Sequence, residues 1–258
     1  MRGMIVMNYL TYGDSNNKSV VLIHGMATTA ETCFEPMLEY LKDYYVVLVQ
    51  VDGHIPGDDR VLESFEGACA DIERYIQTEL GGKVYCIGGL SMGGSMTVEI
   101  LGRNNIKVEK AFIDAAFIVK MNPVMAKIYT SLFVFFSGWL KKGHKIPKVV
   151  YDKIYDSMFG KNNRGIVEAF YLGVKKETIK NVCGFVYRYS MHEEIREFAG
   201  KAIFIYGDHE PYARKGANRL KRYLPSLEIK ELENMGHGQL LHSYPKMWVE
   251  ELINYLEK

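Results

Sequence analysis

The chain of 258 residues is expected to fold as an α/β protein with a mainly parallel central sheet, helices on both faces and a helical insertion. Three observations predict this. Short apolar runs rich in Val and Ile alternate with stretches of helical period, as when successive β–α units build one sheet. One run, Lys83-Val84-Tyr85-Cys86-Ile87-Gly88, leads straight into Gly89-Leu90-Ser91-Met92-Gly93, a strand that bends sharply into a helix. The alternation stops near residue 120 and resumes near residue 201, leaving a long segment with helical period only.

The elements follow in order. Val20-Val21-Leu22-Ile23 is the first clear strand, followed by a helix near 32–42, a strand over 45–51 and a helix near 62–80. The elbow strand comes next, its helix running from Met92 to Leu101, and then the strand Ala111-Phe112-Ile113-Asp114-Ala115. Asn122 suits a helix cap and Pro123 a first turn, where a missing N–H costs nothing. Met125, Ile128, Tyr129, Leu132, Phe133, Phe136, Trp139 and Leu140 recur at helical spacing on one side. Lys141, Lys142 and Gly143 end that helix with basic residues against its dipole and a glycine. Further helices are expected near 148–159, 166–174 and 177–189, with Gly160 punctuating the first. Strands return over 201–206 and 227–232.

Composition removes several classes of function. Lys and Arg number 32 against 31 Asp and Glu, a formal net charge of +1. No broad field therefore draws the chain to nucleic acid or to an anionic membrane, although local patches stay open. Cys33, Cys69, Cys86 and Cys183 are scattered without a CxxC pair and read as reduced and structural. His54, His144, His192 and His242 form no HExxH or His/Cys pairing, so no metal site is expected. Residues 1–10 hold too short an apolar stretch for a secretory signal and meet a turn cluster at 12–17, which predicts a cytoplasmic location. Stable membrane insertion is not expected, because Lys127 and the Thr130-Ser131 pair interrupt a run already short of about 20 apolar residues.

The elbow is where this chain exposes a nucleophile. Small residues must flank Ser91, because a strand-to-helix bend this sharp collides with its neighbours otherwise. The helix that follows aims free N–H groups and a positive dipole end at the serine oxygen. A phosphate-binding turn is the competing reading, and the spacing opposes it. A dinucleotide fingerprint needs glycine where Leu90 stands, and a Walker loop needs the lysine that Gly93-Gly94-Ser95 lacks. A serine hydroxyl also needs a base, and the base needs a carboxylate. Asp208 and Glu210 emerge after the strand over 201–206, at the edge where open α/β sheets place ligands. His237 lies between Gly236 and Gly238 after the last strand.

In these four signatures, the elbow, the acid loop, the histidine loop and the strand that ends in Ile23-His24-Gly25-Met26, the chain resembles the α/β-hydrolase superfamily over nearly its whole length. The resemblance is to the serine-nucleophile, capped, esterase- or lipase-like members. It implies Ser91 as nucleophile, His237 as general base and the backbone N–H groups of Met26 and Met92 as the oxyanion hole, with no cofactor. The acid is Glu210, three residues past Gly207 and just before Pro211, with Asp208 as the alternative. It makes residues 1–119 and 197–258 the hydrolase core and residues 120–196 a helical cap. His24 belongs to the oxyanion-loop architecture. His209 precedes the last strand and so breaks the family's order for the base. Asp52-Gly53-His54 departs from the frequent Gly-x-Gly-x-Ser continuation of that loop.

A cap over a cleft presents part of its apolar face to it, so Phe133, Phe136 and Trp139 are the candidate substrate contacts. The expected reaction is cleavage of a small-molecule carboxylic ester or thioester with an apolar acyl or aryl group through an acyl-serine. Amidase, peptidase and acyltransferase variants share the same triad. A ligand receptor without catalysis is the alternative on the same fold.

Overall fold

The computed structural model describes residues 7–152 and 173–258. Seven strands form one sheet in the order β1-β3-β2-β4-β5-β6-β7: β1 (Asn8–Tyr12), β2 (Ser19–Ile23), β3 (Tyr45–Gln50), β4 (Lys83–Leu90), β5 (Lys107–Asp114), β6 (Lys201–Gly207) and β7 (Glu228–Leu232). All neighbours pair in parallel except β1, which runs antiparallel to β3 at the edge. β1 is a strand that the sequence pattern did not announce. It is half-exposed and short, and main-chain pairing with β3 and a Tyr9–Tyr75 ring stack at 3.8 Å hold it in place.

The central strands are buried on both faces, which is why they read as unbroken apolar runs. Val20 and Leu22 pack in the cluster that holds Phe34 and Trp248, while Val21 and Ile23 pack in the one that holds Ile72 and Met96. The helices are α1 (Ala30–Phe34), α2 (Phe65–Glu79), α3 (Met92–Arg103), α4 (Pro123–Lys141), α5 (Lys176–Val186), α6 (Pro211–Lys221), α7 (Gln239–Ser243) and α8 (Pro245–Glu257). The single helix expected over 32–42 is instead α1 followed by a 3₁₀ turn, Glu35–Tyr40. Pro36 explains the break, since it has no N–H to donate to the Thr32 carbonyl.

β5 begins earlier than expected because Lys107 and Glu109 are polar positions on a paired strand. Lys110 on β5 is buried, and its ammonium donates to the Tyr255 and Leu256 carbonyls at 3.2 and 2.5 Å. It thereby neutralises the negative end of α8. Between β5 and β6 the chain leaves the sheet. There Asn122 accepts a hydrogen bond from the Val124 N–H at 2.9 Å, Pro123 opens α4, and α4 packs on α5. α5 answers to the helix expected over 177–189. Most of those expected over 148–159 and 166–174 lies outside the described residues, which hold only a single turn at Lys148–Val150.

Candidate active site

Ser91 sits between β4 and α3 with φ 56° and ψ −107°, outside every region an L-residue favours. A strain of about 1–3 kcal/mol persists only where the surroundings over-determine it. They do so here. The Ser91 N–H donates to the Asp114 carbonyl at 2.8 Å, and Ser95 Oγ bonds the Ser91 carbonyl at 3.0 Å while accepting from the Phe117 N–H at 3.0 Å. A Cβ on Gly89 or Gly93 would strike the Ile23 carbonyl oxygen, so β2 and the elbow close to a distance that only glycine permits.

The other two groups arrive on the loops after β6 and β7. The Glu210 Oε2 atom accepts from the Gly207 N–H at 2.7 Å, which folds the carboxylate back over its own strand. The histidine loop is pinned at both ends: Asp208 Oδ1 accepts from the Met235 N–H at 3.2 Å and Gln239 Oε1 from the Gly236 N–H at 2.8 Å. The three side chains form one hydrogen-bonded line. His237 Nε2 lies 2.9 Å from Ser91 Oγ and His237 Nδ1 lies 2.5 Å from Glu210 Oε1. Burial alone would disfavour the His237 imidazolium. The Glu210 carboxylate and its hydrogen bond outweigh that, and the His237 pKa is raised above its ordinary value.

Asp208 stands apart from this line. Its carboxylate is held below its ordinary pKa, first by the Asn234 N–H and then by that of Met235, and its side chain lies 3.7 Å from His209. His209 is half-exposed at the cavity rim. His24 is fully buried: its Nε2 accepts from the Val51 N–H at 3.0 Å, and burial pushes its pKa down to about 3. That neutral ring anchors the turn at Gly25.

Met26 and Met92 border the same cavity as Ser91. Among the described residues, neither backbone N–H donates to another main-chain carbonyl. The cavity holds about 570 Å³ and is roofed by α4. Phe133 and Phe136 line it and Trp139 does not. The Trp139 indole N–H donates to the Lys145 carbonyl at 3.1 Å and its ring packs on His144 and Phe135. It turns outward because residue 139 lies about 60° around the helix from residue 136.

Some site residues escaped sequence reasoning. Phe117 meets the His237 ring edge-on at 5.7 Å, and Tyr212, which lines the cavity, meets the Tyr129 ring edge-on at 6.2 Å. Their positions just beyond β5 and just beyond Glu210, at the sheet's ligand edge, were the available signal. Asp114 also escaped. It is 5% exposed and its Oδ2 accepts from Trp248 Nε1 at 2.8 Å. Burial and then the Glu210 charge push its pKa from 3.8 to about 7, against the opposing pull of the Trp248 hydrogen bond and His237.

Folded Asp114 therefore keeps its proton up to about pH 7, whereas the unfolded carboxyl releases it near 3.8. Between those values the unfolded chain binds fewer protons, so stability falls as pH rises through the window. Asp114→Asn retains an acceptor for Trp248 and removes the titration. Its stability gain over the parent is expected to reach a few kcal/mol, order of magnitude, at pH 8 and to shrink toward pH 5. Urea unfolding at both pH values checks this, and a difference independent of pH would contradict it.

A parallel sheet with one antiparallel edge, a strained serine at a strand-to-helix elbow and a His–carboxylate pair on later loops together define the α/β-hydrolase class. The sequence profile described as the alpha/beta hydrolase family matches residues 20–251, and the chain belongs to that family. No curated protein matches the sequence. Among solved structures, an alpha/beta hydrolase family protein from Desulfitobacterium hafniense is similar at 22% identity, covering 96% of this chain and 100% of that one, with a TM-score of 0.80. A carboxylesterase from Nitrososphaera gargenis is similar at 16% identity, covering 97% and 94%, with a TM-score of 0.78. The enol-lactonase from Burkholderia xenovorans LB400 is similar at 15% identity, covering 98% and 96%, with a TM-score of 0.72. At these identities the likeness is one of fold.

Proposed function

We propose that this protein is a serine hydrolase that cleaves a carboxylic ester or thioester bearing an apolar acyl or aryl group. The observation that carries the reading is the unbroken line Ser91–His237–Glu210 at the floor of an apolar cavity. Ser91 Oγ attacks the carbonyl carbon while His237 Nε2 takes the hydroxyl proton, and Glu210 holds the ring and favours the imidazolium. The Met26 and Met92 N–H groups receive the oxyanion, where one donor is typically worth about 3 kcal/mol. Collapse of that intermediate expels the alcohol or thiol with the proton from His237. Water, deprotonated by the same ring, then releases the acid from the acyl-serine.

The cavity supports the choice of substrate class. Met121, Phe117, Phe133, Phe136 and Val186 offer no charge to a ligand, so a charged acyl group would lose its hydration uncompensated. Two of the structural neighbours are named a carboxylesterase and an enol-lactonase, and both names refer to ester chemistry. We assign substrate selection to the segment 120–196, acting as a cap, and the bond-breaking groups to loops of the sheet.

A fluorophosphonate probe and a series of p-nitrophenyl esters of graded acyl length test the reading. Labelling confined to Ser91, with turnover that rises with chain length, is the expected result. A folded protein that neither labels nor turns over any member of the series overturns it. Phe133→Ala or Phe136→Ala is expected to shift the preferred length, with about 1–3 kcal/mol per methylene-sized mismatch, and to leave labelling intact.

A further inference from the structure

We propose that α4 docks this protein on the surface of an anionic lipid bilayer, lying flat in the interface, and that Ser91 receives an apolar ester partitioned in that bilayer. The second half rests on the hydrolase reading above, whereas the docking does not.

The argument begins with a helix that is apolar on more sides than its packing uses. By length and composition α4 is apolar enough to cross a membrane. It is nevertheless committed to the protein along its inner side, where Ala126, Phe136, Ser137 and Leu140 are buried and α5 packs against it. A spanning orientation would strip those contacts away. The opposite side carries Val124, Ile128, Leu132, Phe135 and Trp139, all between 36% and 66% exposed. Steps of four, four, three and four residues place them in one row, roughly 22 Å long at the helical rise. A contiguous row of this size is a patch with an occupant, unlike the isolated apolar residues found on every surface.

Charge identifies the occupant. From residue 115 to residue 151 the chain has no Asp or Glu, yet it carries Lys120, Lys127, Lys141, Lys142, Lys145 and Lys148, in a protein whose formal net charge is only +1. All six lysines are exposed. Lys148 pairs with Asp152, and Lys141 donates to the Val174 carbonyl. An apolar helical face rimmed by lysines matches acyl chains beneath anionic headgroups. A second copy of the chain is disfavoured as the partner, because a two-fold contact through this face would bring the same lysines together.

The face is also continuous with the site. Met125, Ile128 and Leu132 are exposed on α4 and at the same time line the cavity that holds Ser91. An acyl chain leaving the bilayer there passes along apolar side chains without crossing water. The substrate class this fits is a water-insoluble ester whose tail partitions into lipid.

Flotation of the intact protein with vesicles tests the proposal, comparing phosphatidylcholine alone with phosphatidylcholine containing phosphatidylglycerol. The parent is expected to float with the anionic vesicles and at least tenfold less with neutral ones. Phe135→Glu should cut partitioning at least tenfold. The triple variant Lys127→Glu/Lys142→Glu/Lys145→Glu should lose the preference for anionic lipid, about a hundredfold at roughly fivefold per lysine. Both variants should hydrolyse a soluble short-chain ester within twofold of the parent, while Phe135→Glu loses turnover of a vesicle-embedded long-chain ester.

A parent that stays unbound, or a Phe135→Glu variant that floats like the parent, overturns the docking. So does a parent that sediments as a dimer and that Phe135→Glu dissociates, since the face then belongs to a second copy. Vesicle binding without turnover of any ester supports the docking and overturns the hydrolase reading. Turnover of soluble ester without flotation does the reverse.

Discussion

Ser91→Ala is expected to lower kcat on a soluble activated ester by about a millionfold, the scale of loss when a serine is removed from a triad acting as a unit. The hydroxyl is the atom that attacks, and its 2.9 Å contact with His237 Nε2 is lost with it. His237→Ala should cost nearly as much, and the double variant little more than either alone. Circular dichroism guards against trivial unfolding, and a second replacement separates strain from chemistry. Because Ser91 sits at φ 56°, Ser91→Gly should be equally inactive yet more stable than Ser91→Ala, by on the order of 1 kcal/mol. Turnover retained in a verified Ser91→Ala preparation would remove Ser91 from the chemistry.

Glu210→Gln is expected to reduce kcat by roughly ten-thousandfold, while Asp208→Asn leaves it within severalfold. A glutamine at 210 can still accept from the Gly207 N–H, but its amide then offers a donor to His237 Nδ1. The ring must turn that nitrogen into an acceptor, and its proton moves to Nε2, where it faces Ser91 and cannot receive the hydroxyl proton. An asparagine at 208 keeps its acceptor for the Met235 N–H. Steady-state kinetics on both variants decides the ranking. The reverse order would move the acid to Asp208, and equal large losses would mean that the pinned histidine loop matters as much as the ring's partner.

What the sequence made legible is what chemistry constrains locally. An elbow must have small neighbours, so Gly89 and Gly93 mark Ser91 in the string itself. The preference for Glu210 over Asp208 rests on the family resemblance, which puts the acid just before a proline, here Pro211, and the structure sets the Glu210 carboxylate against His237 Nδ1. Other features depend on partners distant in the chain. β1 is stabilised by pairing with β3, and its own residues carry only weak alternation. Asp114 is unusual because of Trp248 and Glu210, each about a hundred residues or more away, and nothing in residues 111–115 foretells that. Period alone also failed at Trp139. On α4 the apolar stripe is too wide to have one meaning, and the part facing the cavity and the part facing outward differ by less than a quarter turn.

The parallel ladders have a further consequence. The groups near Ser91 hang from the ends of β2, β4, β6 and β7, and a single-residue slip of any of these strands would invert its side chains and move its loop by more than 3 Å. No fragment of the sheet can therefore possess a fraction of the site. During refolding the long sequence separations must all close first, which is intrinsically slow. Recovered turnover would then act as a clock for completion of the whole molecule, lagging behind any spectroscopic signal of helix formation and striking only when β7 has docked.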